Sequence, residues 1–506
     1  MINSLVHILK NVVRHSPNIE AIVDEKSRIS YEQLWEYILS IAHHLKKQGL
    51  KKNERVAILI DNSVEYVSIY YGVQAAGGIT VGLNTSAMVR DLDTWIEHSG
   101  ATWLFANARH PELPKLINSI EKHFKLVLIG DNNNIKSDFN WKDIISKKYV
   151  DLDLSVINNP DDPAAIMYTS GTTGTPKGVT LSHKNLVTNI QSILAYLKLT
   201  EKDRVLNVLP FYYTYGNSVL HTHLAVGGTI IIENSMMYPH KILERMVSEK
   251  VTGFSGVPST YALLLGRTNI SDFNLSKLRY MTQAGGPMPP ANIKKLLGNV
   301  PHIQFFVMYG QTEASARLTY LPPDQIINKL GSVGIPIPGV EITIQDENEN
   351  VLKNGVTGEI CARGDNIMLG YWNDPDSTKN VIKNGWLHTG DLAHMDNDGF
   401  IYIDGRSSDM IKSGGNRISP KEIEEVIAEI QEVLEVAVIG ISDNILGQII
   451  KAIIVLRPGE NLEPKYVKAY CKQNLADYKV PKIIEYIDSL PKTASGKIKR
   501  YQLQKQ

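Results

Sequence analysis

The chain has 506 residues, and its 53 lysine and arginine residues balance 53 aspartate and glutamate residues, so the formal net charge at pH 7 is zero. A chain of this length is too long for one compact core, and we expect two or more domains. The balanced charge gives no broad positive field for nucleic acid or an anionic membrane, which favours a small-molecule substrate. Two cysteines, Cys361 and Cys471, lie too far apart in sequence to suggest a disulfide framework or a metal cluster, so we expect buried free thiols.

The first stretch, MINSLVHILKNVVRH, has the spacing of a short amphipathic helix. Apolar residues recur at helical intervals, and Lys10 and Asn11 interrupt any continuous apolar run. The pattern therefore indicates a helix of a cytoplasmic protein rather than a signal peptide. No segment approaches the roughly 20 apolar residues that a membrane span requires, so no span is predicted.

Short apolar runs at 55–60, 102–107 and 125–130 alternate with helix-like stretches such as 63–78. This alternation predicts an α/β fold with a largely parallel sheet. A buried strand is predicted before residue 170, and a helix from 183 with Ser182 as its N-cap follows. In open α/β sheets ligands bind where strands end, so the loop between these two elements is a candidate site.

That loop, YTSGTTGTPKGV at 168–179, combines glycines, hydroxyls and one lysine. Glycines let successive backbone N–H groups converge on one point, while hydroxyls and a lysine supply further donors and charge. The combination suits a polyphosphate, although a flexible surface turn is the alternative. The Walker A pattern fails because Pro176, not glycine, precedes the lysine. The candidate phosphate-binding residues are Thr169, Ser170, Gly171, Thr172, Thr173, Gly174 and Lys177.

Three later stretches also carry chemistry. QAGGPMPP at 283–290 exposes backbone at Gly285 and Gly286, where a flat base can approach closely. YGQTEA at 309–314 places Glu313 after an apolar strand, and a bridging Mg²⁺ would reconcile this carboxylate with a nearby phosphate. In the stretch 388–406, Asp391 suits two vicinal sugar hydroxyls and Arg406 is a fixed cation. Each stretch alone also fits an ordinary turn or hairpin.

The stretch 399–430 runs from a strand through a glycine-rich, charged turn into a strong helix, and we place a domain boundary at 405–409. Strand, helix and strand patterns in the last hundred residues predict a small α/β domain. The chain then approaches its end with PKTASGKIKR at 491–500, which contains Lys497. Taken alone, such a lysine is a solvated charge.

Taken together, these motifs resemble in order and wording the adenylate-forming superfamily of acyl-CoA synthetases, aryl-CoA ligases and adenylation domains. The resemblance covers nearly the whole chain. It implies a large multi-subdomain N-terminal AMP-binding domain over 1–404, a hinge over 405–409 at Asp409, and a small mobile C-terminal lid over 410–506. The implied reaction uses ATP and Mg²⁺ to turn a carboxylic acid into acyl-AMP and pyrophosphate, and then transfers the acyl group to a pantetheine thiol.

The resemblance also implies roles for individual residues. Lys497, Thr312 and Glu313 would be catalytic: the lysine bridges the substrate carboxylate and the α-phosphate, the threonine contacts the α-phosphate, and the glutamate holds Mg²⁺. The phosphate loop holds the β- and γ-phosphates of ATP. The adenosine would be bound by Gly285, Gly286, Pro287, Tyr309, Gly310, Asp391 and Arg406. After rotation about Asp409, the pantetheine tunnel would be lined by Ser413, Gly414 and Gly415.

The acyl pocket implied by the resemblance contains Tyr213, Gly216, Gly256 and Met308. Tyr213 stands where many CoA ligases have histidine, and the stretch FYYTYG lacks the aspartate with which amino-acid-activating relatives pair an α-amine. Met308 stands where relatives commonly have glycine, so it fills volume at the pocket floor. We therefore expect short, medium-length or ring-bearing acids without an α-amino group. Arg317 is assigned to a structural ion pair, with a second substrate carboxylate or a polar tail as the alternative.

Other functions stay open at this stage. GFSGV at 253–257 hints at a serine hydrolase, but Ser255 lacks the glycine spacing of a nucleophile elbow and has no obvious partners. A non-catalytic nucleotide-binding scaffold is a remote alternative. The thiol acceptor is either coenzyme A, which we favour, or the phosphopantetheine of a separate acyl or peptidyl carrier protein. The oligomeric state is left open.

Overall fold

In the computed structural model, residues 4–119, 124–132, 134–157, 159–169, 177–406, 409–413, 416–443, 446–492 and 498–504 are described. Within them the strands are β1 (Glu20–Val23), β2 (Arg28–Ser30), β3 (Arg55–Leu59), β4 (Ile79–Gly82), β5 (Trp103–Asn107), β6 (Lys125–Ile129), β7 (Phe139–Asn140), β8 (Pro163–Thr169), β9 (Lys177–Ser182), β10 (Arg204–Asn207), β11 (Thr229–Ile232), β12 (Gly253–Gly256), β13 (Tyr280–Gln283), β14 (Gln304–Tyr309), β15 (Thr319–Leu321), β16 (Ile335–Pro336), β17 (Val340–Gln345), β18 (Gly358–Gly364), β19 (Gly370–Tyr371), β20 (Ile382–Lys383), β21 (Trp386–Met395), β22 (Ile401–Arg406), β23 (Ile411–Ser413), β24 (Asn416–Ile418), β25 (Val433–Asp443), β26 (Gly447–Leu456) and β27 (Ile483–Tyr486).

The α-helices of the same residues are α1 (Leu5–His15), α2 (Tyr31–Lys47), α3 (Val64–Ala75), α4 (Val89–Ser99), α5 (Leu113–Ser119), α6 (Trp141–Ile145), α7 (His183–Leu197), α8 (Thr214–Val226), α9 (Pro239–Ser248), α10 (Pro258–Arg267), α11 (Pro290–Asn299), α12 (Pro375–Val381), α13 (Pro420–Ile427), α14 (Pro464–Asn474) and α15 (Arg500–Leu503). The amphipathic helix predicted near the N-terminus is α1, which buries Leu5, Val6 and Leu9. Ser182 caps α7 as predicted, with its hydroxyl accepting from the backbone N–H of Asn185.

Two large sheets confirm the predicted α/β fold. The first has the order β19-β9-β8-β4-β3-β5-β6-β7 and the second the order β16-β15-β14-β13-β12-β10-β11-β1-β2, and both are parallel in their central strands. The largest apolar core joins residues of both sheets, including Ile58 and Ile230, to helices α2 and α3. Helix α3 is buried along eleven of its twelve residues. A helix that is apolar all round is typical of the layer between two sheets.

Two smaller sheets complete the chain. The third, β17-β18-β21-β20 with β22 beside β21, is antiparallel and ends at Arg406. The fourth, β24-β23-β26-β25 with β27 beside β26, starts at Ile411 and packs on α13 and α14 around its own core. The predicted small C-terminal α/β unit is therefore present, and the chain changes sheet between Arg406 and Ile411. The exact boundary at 405–409 remains a prediction.

Both cysteines are free and buried, as expected. Among the described helices, none combines the length and the apolar content that crossing a bilayer demands.

Candidate active site

A cavity of ≈ 400 Å³ lies where β13 and β14 end, between the third sheet and the small C-terminal unit. Carboxyl ends of neighbouring parallel strands meet at one edge of a sheet, which is why residues distant in sequence gather there. Nine predicted site residues line this cavity together: Gly285, Gly286, Pro287, Met308, Tyr309, Gly310, Asp391, Arg406 and Asp409. Its volume lies in the range of sites for small molecules.

Asp391 is a buried polar group of the cavity that two side chains hold in place. Its side chain is 8% exposed, its Oδ2 accepts a 2.6 Å hydrogen bond from the Tyr309 hydroxyl, and its Oδ1 accepts a 3.0 Å bond from Arg406 Nε. Burial, followed by the Asp391 charge, raises the pKa of Tyr309 well above its ordinary 10.0, and the same carboxylate raises the pKa of Arg406. The carboxylate is thus fixed by two donors, with one lone pair of each oxygen left for a ligand.

The backbone after β14 makes an unusually tight turn. A Cβ on Gly310 would lie 2.1 Å from the Ala316 carbonyl oxygen, so only glycine fits at this position. Residues Thr312–Ala314 form one 3₁₀ turn, and Ser315 and Ala316 follow with φ of 56° and 123°. Positive φ at two non-glycine residues is strained backbone of the kind that accumulates at functional sites. The turn places Glu313 beside the end of the strand.

Glu313 lies in a second, smaller cavity next to the first, together with Gln311, His388 and Gly390. Its Oε1 accepts a 2.8 Å hydrogen bond from the Tyr371 hydroxyl. Lys177 Nζ stands 4.9 Å above the ring of the same tyrosine. Sequence reasoning missed Tyr371, which lies 58 residues beyond Glu313 and carries no local signal apart from the apolar stretch around it. Glu313 and Lys177, predicted for metal and phosphate, are thereby brought together.

Of the predicted phosphate loop, the structure describes the two ends. Thr169 closes β8, Lys177 opens β9, and the two are register partners in an antiparallel pair. Ser170, Gly171, Thr172, Thr173 and Gly174 lie outside the described residues. On the opposite wall, Gln283 Nε2 donates a 2.6 Å hydrogen bond to the Gly286 carbonyl, and Gly285 takes a φ of 91°. This bond fixes the loop that was predicted to face the base.

The small C-terminal unit closes one side of the larger cavity. Lys492, Ile498 and Arg500 line it, and Lys492 and Ile498 form an antiparallel bridge. Arg500 Nη2 donates a 2.6 Å hydrogen bond to the buried Glu424 carboxylate, and Nη1 lies 3.9 Å from Asp409 Oδ2. Lys497 lies outside the described residues, although its neighbour Ile498 faces the cavity.

Of the predicted hinge and tunnel residues, Asp409 lines the larger cavity. The Asp409 N–H donates to the Arg406 carbonyl at 3.0 Å. Ser413 is buried on β23, opposite Asn416 in the register. Gly414 and Gly415 lie outside the described residues.

The four predicted acyl-pocket residues lie at the start of α8 and at the ends of β12 and β14. Tyr213 precedes α8, and burial raises the pKa of its phenol to about 12. A Cβ on Gly216 would lie 2.3 Å from the Pro210 carbonyl oxygen, and one on Gly256 would lie 3.0 Å from the Thr260 side chain. Met308 is buried, and its sulfur accepts from the Tyr196 hydroxyl at 3.1 Å and from Arg317 Nε at 3.2 Å.

The predictions made from the sequence for Arg317 and Ser255 can be compared with the structure. The ion pair expected for Arg317 is wrong: among the described residues no carboxylate pairs with this buried guanidinium, whose neighbours are Met308, Tyr215 and Ser218. Ser255 is buried and shares a 2.8 Å hydrogen bond with Thr282 Oγ1. Among the residues that the structure describes, this hydroxyl has none of the partners of a hydrolytic serine, which agrees with the rejection of that function.

Comparison with known proteins agrees with this geometry. The model of the family described as AMP-binding enzyme matches residues 9–372, and that of the AMP-binding enzyme C-terminal domain matches residues 422–497. A putative acyl-CoA synthetase, YngI of Bacillus subtilis (strain 168), is 32% identical over 99% of this chain and 96% of its own. A feruloyl-CoA synthase of an Amycolatopsis species is 31% identical over 96% of this chain and 95% of its own.

Solved structures of similar proteins include the anthranilate CoA ligase AuaEII in complex with anthranoyl-AMP, with a TM-score of 0.92, 26% identity and coverage of 99% of this chain and 96% of that chain. Another is o-succinylbenzoate CoA synthetase (MenE) from Bacillus subtilis in complex with its acyl-adenylate intermediate, with a TM-score of 0.86, 29% identity and coverage of 98% and 97%.

The chain therefore belongs to the AMP-binding enzyme family, with a large N-terminal part and a small C-terminal part. It is an acid–thiol ligase of the acyl-CoA synthetase type, which activates a carboxylic acid with ATP as an acyl adenylate.

Proposed function

We propose that this enzyme converts a short, medium-length or ring-bearing carboxylic acid without an α-amino group into its coenzyme A thioester. The buried Met308 side chain supports a short pocket, because it occupies space that a long acyl chain would need. The segment 211–216 contains no carboxylate to pair with an α-amine. The similar proteins named for anthranilate and ferulate act on ring-bearing acids, which agrees with this choice.

The observation that carries the proposal is the Asp391 carboxylate, held by Tyr309 and Arg406 in the wall of the cavity between the two parts of the chain. Each of its oxygens keeps a lone pair, and a charged acceptor suits the two vicinal hydroxyls of a ribose. The ring of Tyr309 offers a face for adenine, and the backbone at Gly285, Gly286, Pro287 and Gly310 permits close approach of the flat base.

Glu313 is proposed to bind Mg²⁺. Tyr371 donates to Oε1, and among the described residues no donor hydrogen-bonds to Oε2, so one carboxylate oxygen is left for a cation. Mg²⁺ usually takes one or two protein carboxylates and completes its shell with water and substrate phosphates, so a single glutamate next to a phosphate loop fits this ion. When bound, the ion would neutralise charge on the triphosphate.

The first step joins a carboxylate to a triphosphate, so it needs charge neutralisation and alignment more than a base. Thr169 and Lys177, with Ser170, Gly171, Thr172, Thr173 and Gly174, are proposed to hold the β- and γ-phosphates. Thr312 is proposed to contact the α-phosphate, and Lys497 to bridge the attacking carboxylate oxygen and the α-phosphate. The neighbour of Lys497, Ile498, lines the cavity, which supports this assignment.

The second step is proposed to follow rotation of the C-terminal part about Asp409. The rotation would withdraw Lys497 and bring Ser413, Gly414 and Gly415 towards the pantetheine arm. Coenzyme A is the proposed donor of that arm, and a carrier protein is the other outcome that acceptor trials can give.

Carboxylate-dependent exchange of pyrophosphate into ATP, measured over a panel of short, long, aromatic and α-amino acids, tests the first step directly. The expected result is exchange with short or ring-bearing acids and little with α-amino acids. Adding coenzyme A or a phosphopantetheinylated carrier protein to the best acid then identifies the acceptor. An enzyme that exchanges pyrophosphate with no acid in the panel contradicts the proposal.

The hinge is tested by Asp409→Pro. Proline fixes φ near −65° and removes the N–H that now donates to the Arg406 carbonyl, so it should hold one arrangement of the two parts while every side chain proposed to contact ATP is kept. We expect acyl-AMP formation within about tenfold of wild type and thioester formation lower by on the order of a thousandfold. Single-turnover assays of the two half-reactions measure both rates. A variant that completes the second step at normal speed would show that the hinge lies elsewhere.

A further inference from the structure

Arg317 is a permanently charged side chain in an almost dry environment. It is 3% exposed, and its surroundings belong to the acyl side of the site: Met308 at the end of β14, and Tyr215 and Ser218 in the first turns of α8. A guanidinium cannot lose its proton in a protein and carries five N–H donors. Each of these donors needs an acceptor when water is excluded.

The acceptors that the described residues supply are few and weak. Nε points at the Met308 sulfur at 3.2 Å, Nη1 at the carbonyl of Ala316 at 3.2 Å, and Nη2 at the Ser218 hydroxyl at 3.5 Å. Thioether sulfur is a poor acceptor, and a contact of 3.5 Å is at the limit of hydrogen bonding. With the Tyr196 hydroxyl, four neutral acceptors therefore face five charged donors, and among the described residues no carboxylate pairs with this guanidinium.

Another arginine of the same protein shows what a structural role looks like. Arg279 also lies over an aromatic ring, that of Tyr280 at 4.8 Å, but it is paired with Asp203 at 2.9 Å. Arg317 has only the first of these, the ring of Tyr215 at 4.3 Å. A cation–π contact compensates part of the desolvation cost, whereas a buried charge without a counter-ion is strongly unfavourable.

The orientation of Arg317 is also imposed by strained and fixed neighbours. It directly follows Ser315 and Ala316, whose φ values of 56° and 123° turn the chain inward. The Tyr215 hydroxyl is held by Thr282, with contacts of 2.8 and 3.0 Å, so the ring beneath the guanidinium is fixed. Strain and fixed packing that hold a buried charge without a counter-ion indicate a bound partner that supplies the missing acceptors.

We propose that Arg317 binds a second carboxylate of the substrate, so that the enzyme activates dicarboxylic acids at the end remote from this arginine. The inference deepens the proposed function and rests on it. A carboxylate presents two oxygens in the geometry of the guanidinium fork and neutralises its charge, whereas an alkyl or phenyl tail leaves the donors unsatisfied. The Met308 side chain lies between Arg317 and the adenosine cavity, and its flexible thioether can adapt to the chain that connects the two carboxylates.

The test compares three acids of equal length, hexanoic acid, adipic acid and adipic acid monoamide, and a shorter and an aromatic set built in the same way. For each, kcat/KM is measured by pyrophosphate release in wild type, Arg317→Met, Arg317→Lys and the matched control Arg279→Met. In wild type we expect a preference for the diacid over the monoacid. In Arg317→Met this preference should fall by on the order of 10- to 100-fold, the worth of hydrogen bonds to a charged group. Arg279→Met should keep the wild-type preference.

Ser218→Asp gives a second test that does not require removal of the arginine. The new carboxylate would stand beside Nη2 and pair with it, so the melting temperature should rise while the preference for the diacid disappears. A monoamide activated as well as the diacid would overturn the proposal. The site would then recognise a neutral hydrogen-bond acceptor and would not need the negative charge of a second carboxylate. Equal ratios in wild type and Arg317→Met would overturn it while leaving the proposed function intact. No exchange with any acid in wild type would overturn both.

Discussion

The sharpest test of the nucleotide site is Asp391→Asn. The substitution keeps the size and shape of the side chain but removes its charge and one of its acceptor oxygens. Tyr309 and Arg406 now take one lone pair of each carboxylate oxygen, which leaves two lone pairs for the two hydroxyls of a ribose. In the amide variant Tyr309 and Arg406 compete with the ribose for a single oxygen.

The expected loss follows from these bonds. A hydrogen bond to a charged group contributes about 1.5–3 kcal/mol and a neutral one about half of that, so two weakened ribose contacts should lower kcat/KM for ATP about 10- to 100-fold. The KM for the carboxylic acid should stay near its wild-type value. Arg406 is half exposed, so losing its partner should cost the fold no more than about 1 kcal/mol.

Deoxynucleotides test whether the lower kcat/KM for ATP comes from lost contacts to the ribose. Wild type should use 2′-deoxy-ATP or 3′-deoxy-ATP about tenfold less well than ATP, because a contact to the carboxylate is missing. In Asp391→Asn the rate with either analogue should be less than about threefold below the rate with ATP, because the contact to the ribose is already weak. Initial rates of pyrophosphate release with ATP and with each analogue measure this coupling.

A matched control lies on the neighbouring strand. Asp404 is also a partly buried carboxylate that binds two side chains, Thr357 and His394, but it does not line the cavity. Asp404→Asn should therefore leave the ratio of the rate with ATP to the rate with each deoxynucleotide at the wild-type value. If Asp391→Asn shows the same tenfold penalty as wild type, Asp391 does not bind the ribose and the assignment is refuted.

Three further outcomes are expected. Lys497→Ala should lower acyl-AMP formation by at least a hundredfold while thioester formation from supplied acyl-AMP is largely kept, and equal loss in both half-reactions would contradict its role. Tyr371→Phe should raise the Mg²⁺ concentration for half-maximal rate about tenfold, because Glu313 loses the donor that positions it; an unchanged Mg²⁺ titration would show that this bond is only structural. Burial raises the pKa of the Cys361 thiol to about 12 and that of Cys471 to about 11, so both should resist alkylation at pH 8 until the protein unfolds. Since their ordinary value of 9.0 returns on unfolding, stability should fall as pH rises above 9, and rapid alkylation of the native protein would contradict the burial.

The local pattern of apolar residues was sufficient to predict most of the fold. Apolar runs at 55–60, 102–107 and 125–130 became β3, β5 and β6, because strands buried on both faces are short and continuously apolar. That the residues predicted to bind adenosine line one cavity was also predictable. Residues at the ends of parallel strands are brought to one edge by the topology itself, so motifs far apart in sequence converge without any knowledge of side-chain packing.

Contacts between different sheets could not be predicted in this way. Tyr371 reaches Glu313 because β19 pairs with β9 at the edge of the first sheet, while Glu313 follows a strand of the second. The bond between Arg500 and Glu424 depends on how the end of the chain folds back onto α13. Such pairs are set by the packing of whole elements, and neither periodicity nor residue type indicates them.

Arg317 shows why one expectation failed and what its failure means. Buried arginines are normally compensated by a carboxylate, so an ion pair was the natural expectation from the sequence. The turn after Gly310 prevents it: the chain doubles back so closely that the Ala316 carbonyl occupies the space that a Cβ on Gly310 would need. Arg317 is then directed towards Tyr215 and Ser218 of α8. The same turn carries Glu313, so the group proposed for the metal and the group proposed for the second carboxylate are separated by three residues, two of which, Ser315 and Ala316, have positive φ. A rigid link of this kind keeps the distance between the two ends of the site constant. The length of the acid, and not only its charge, should therefore decide which substrates place their reacting carboxylate at the α-phosphate.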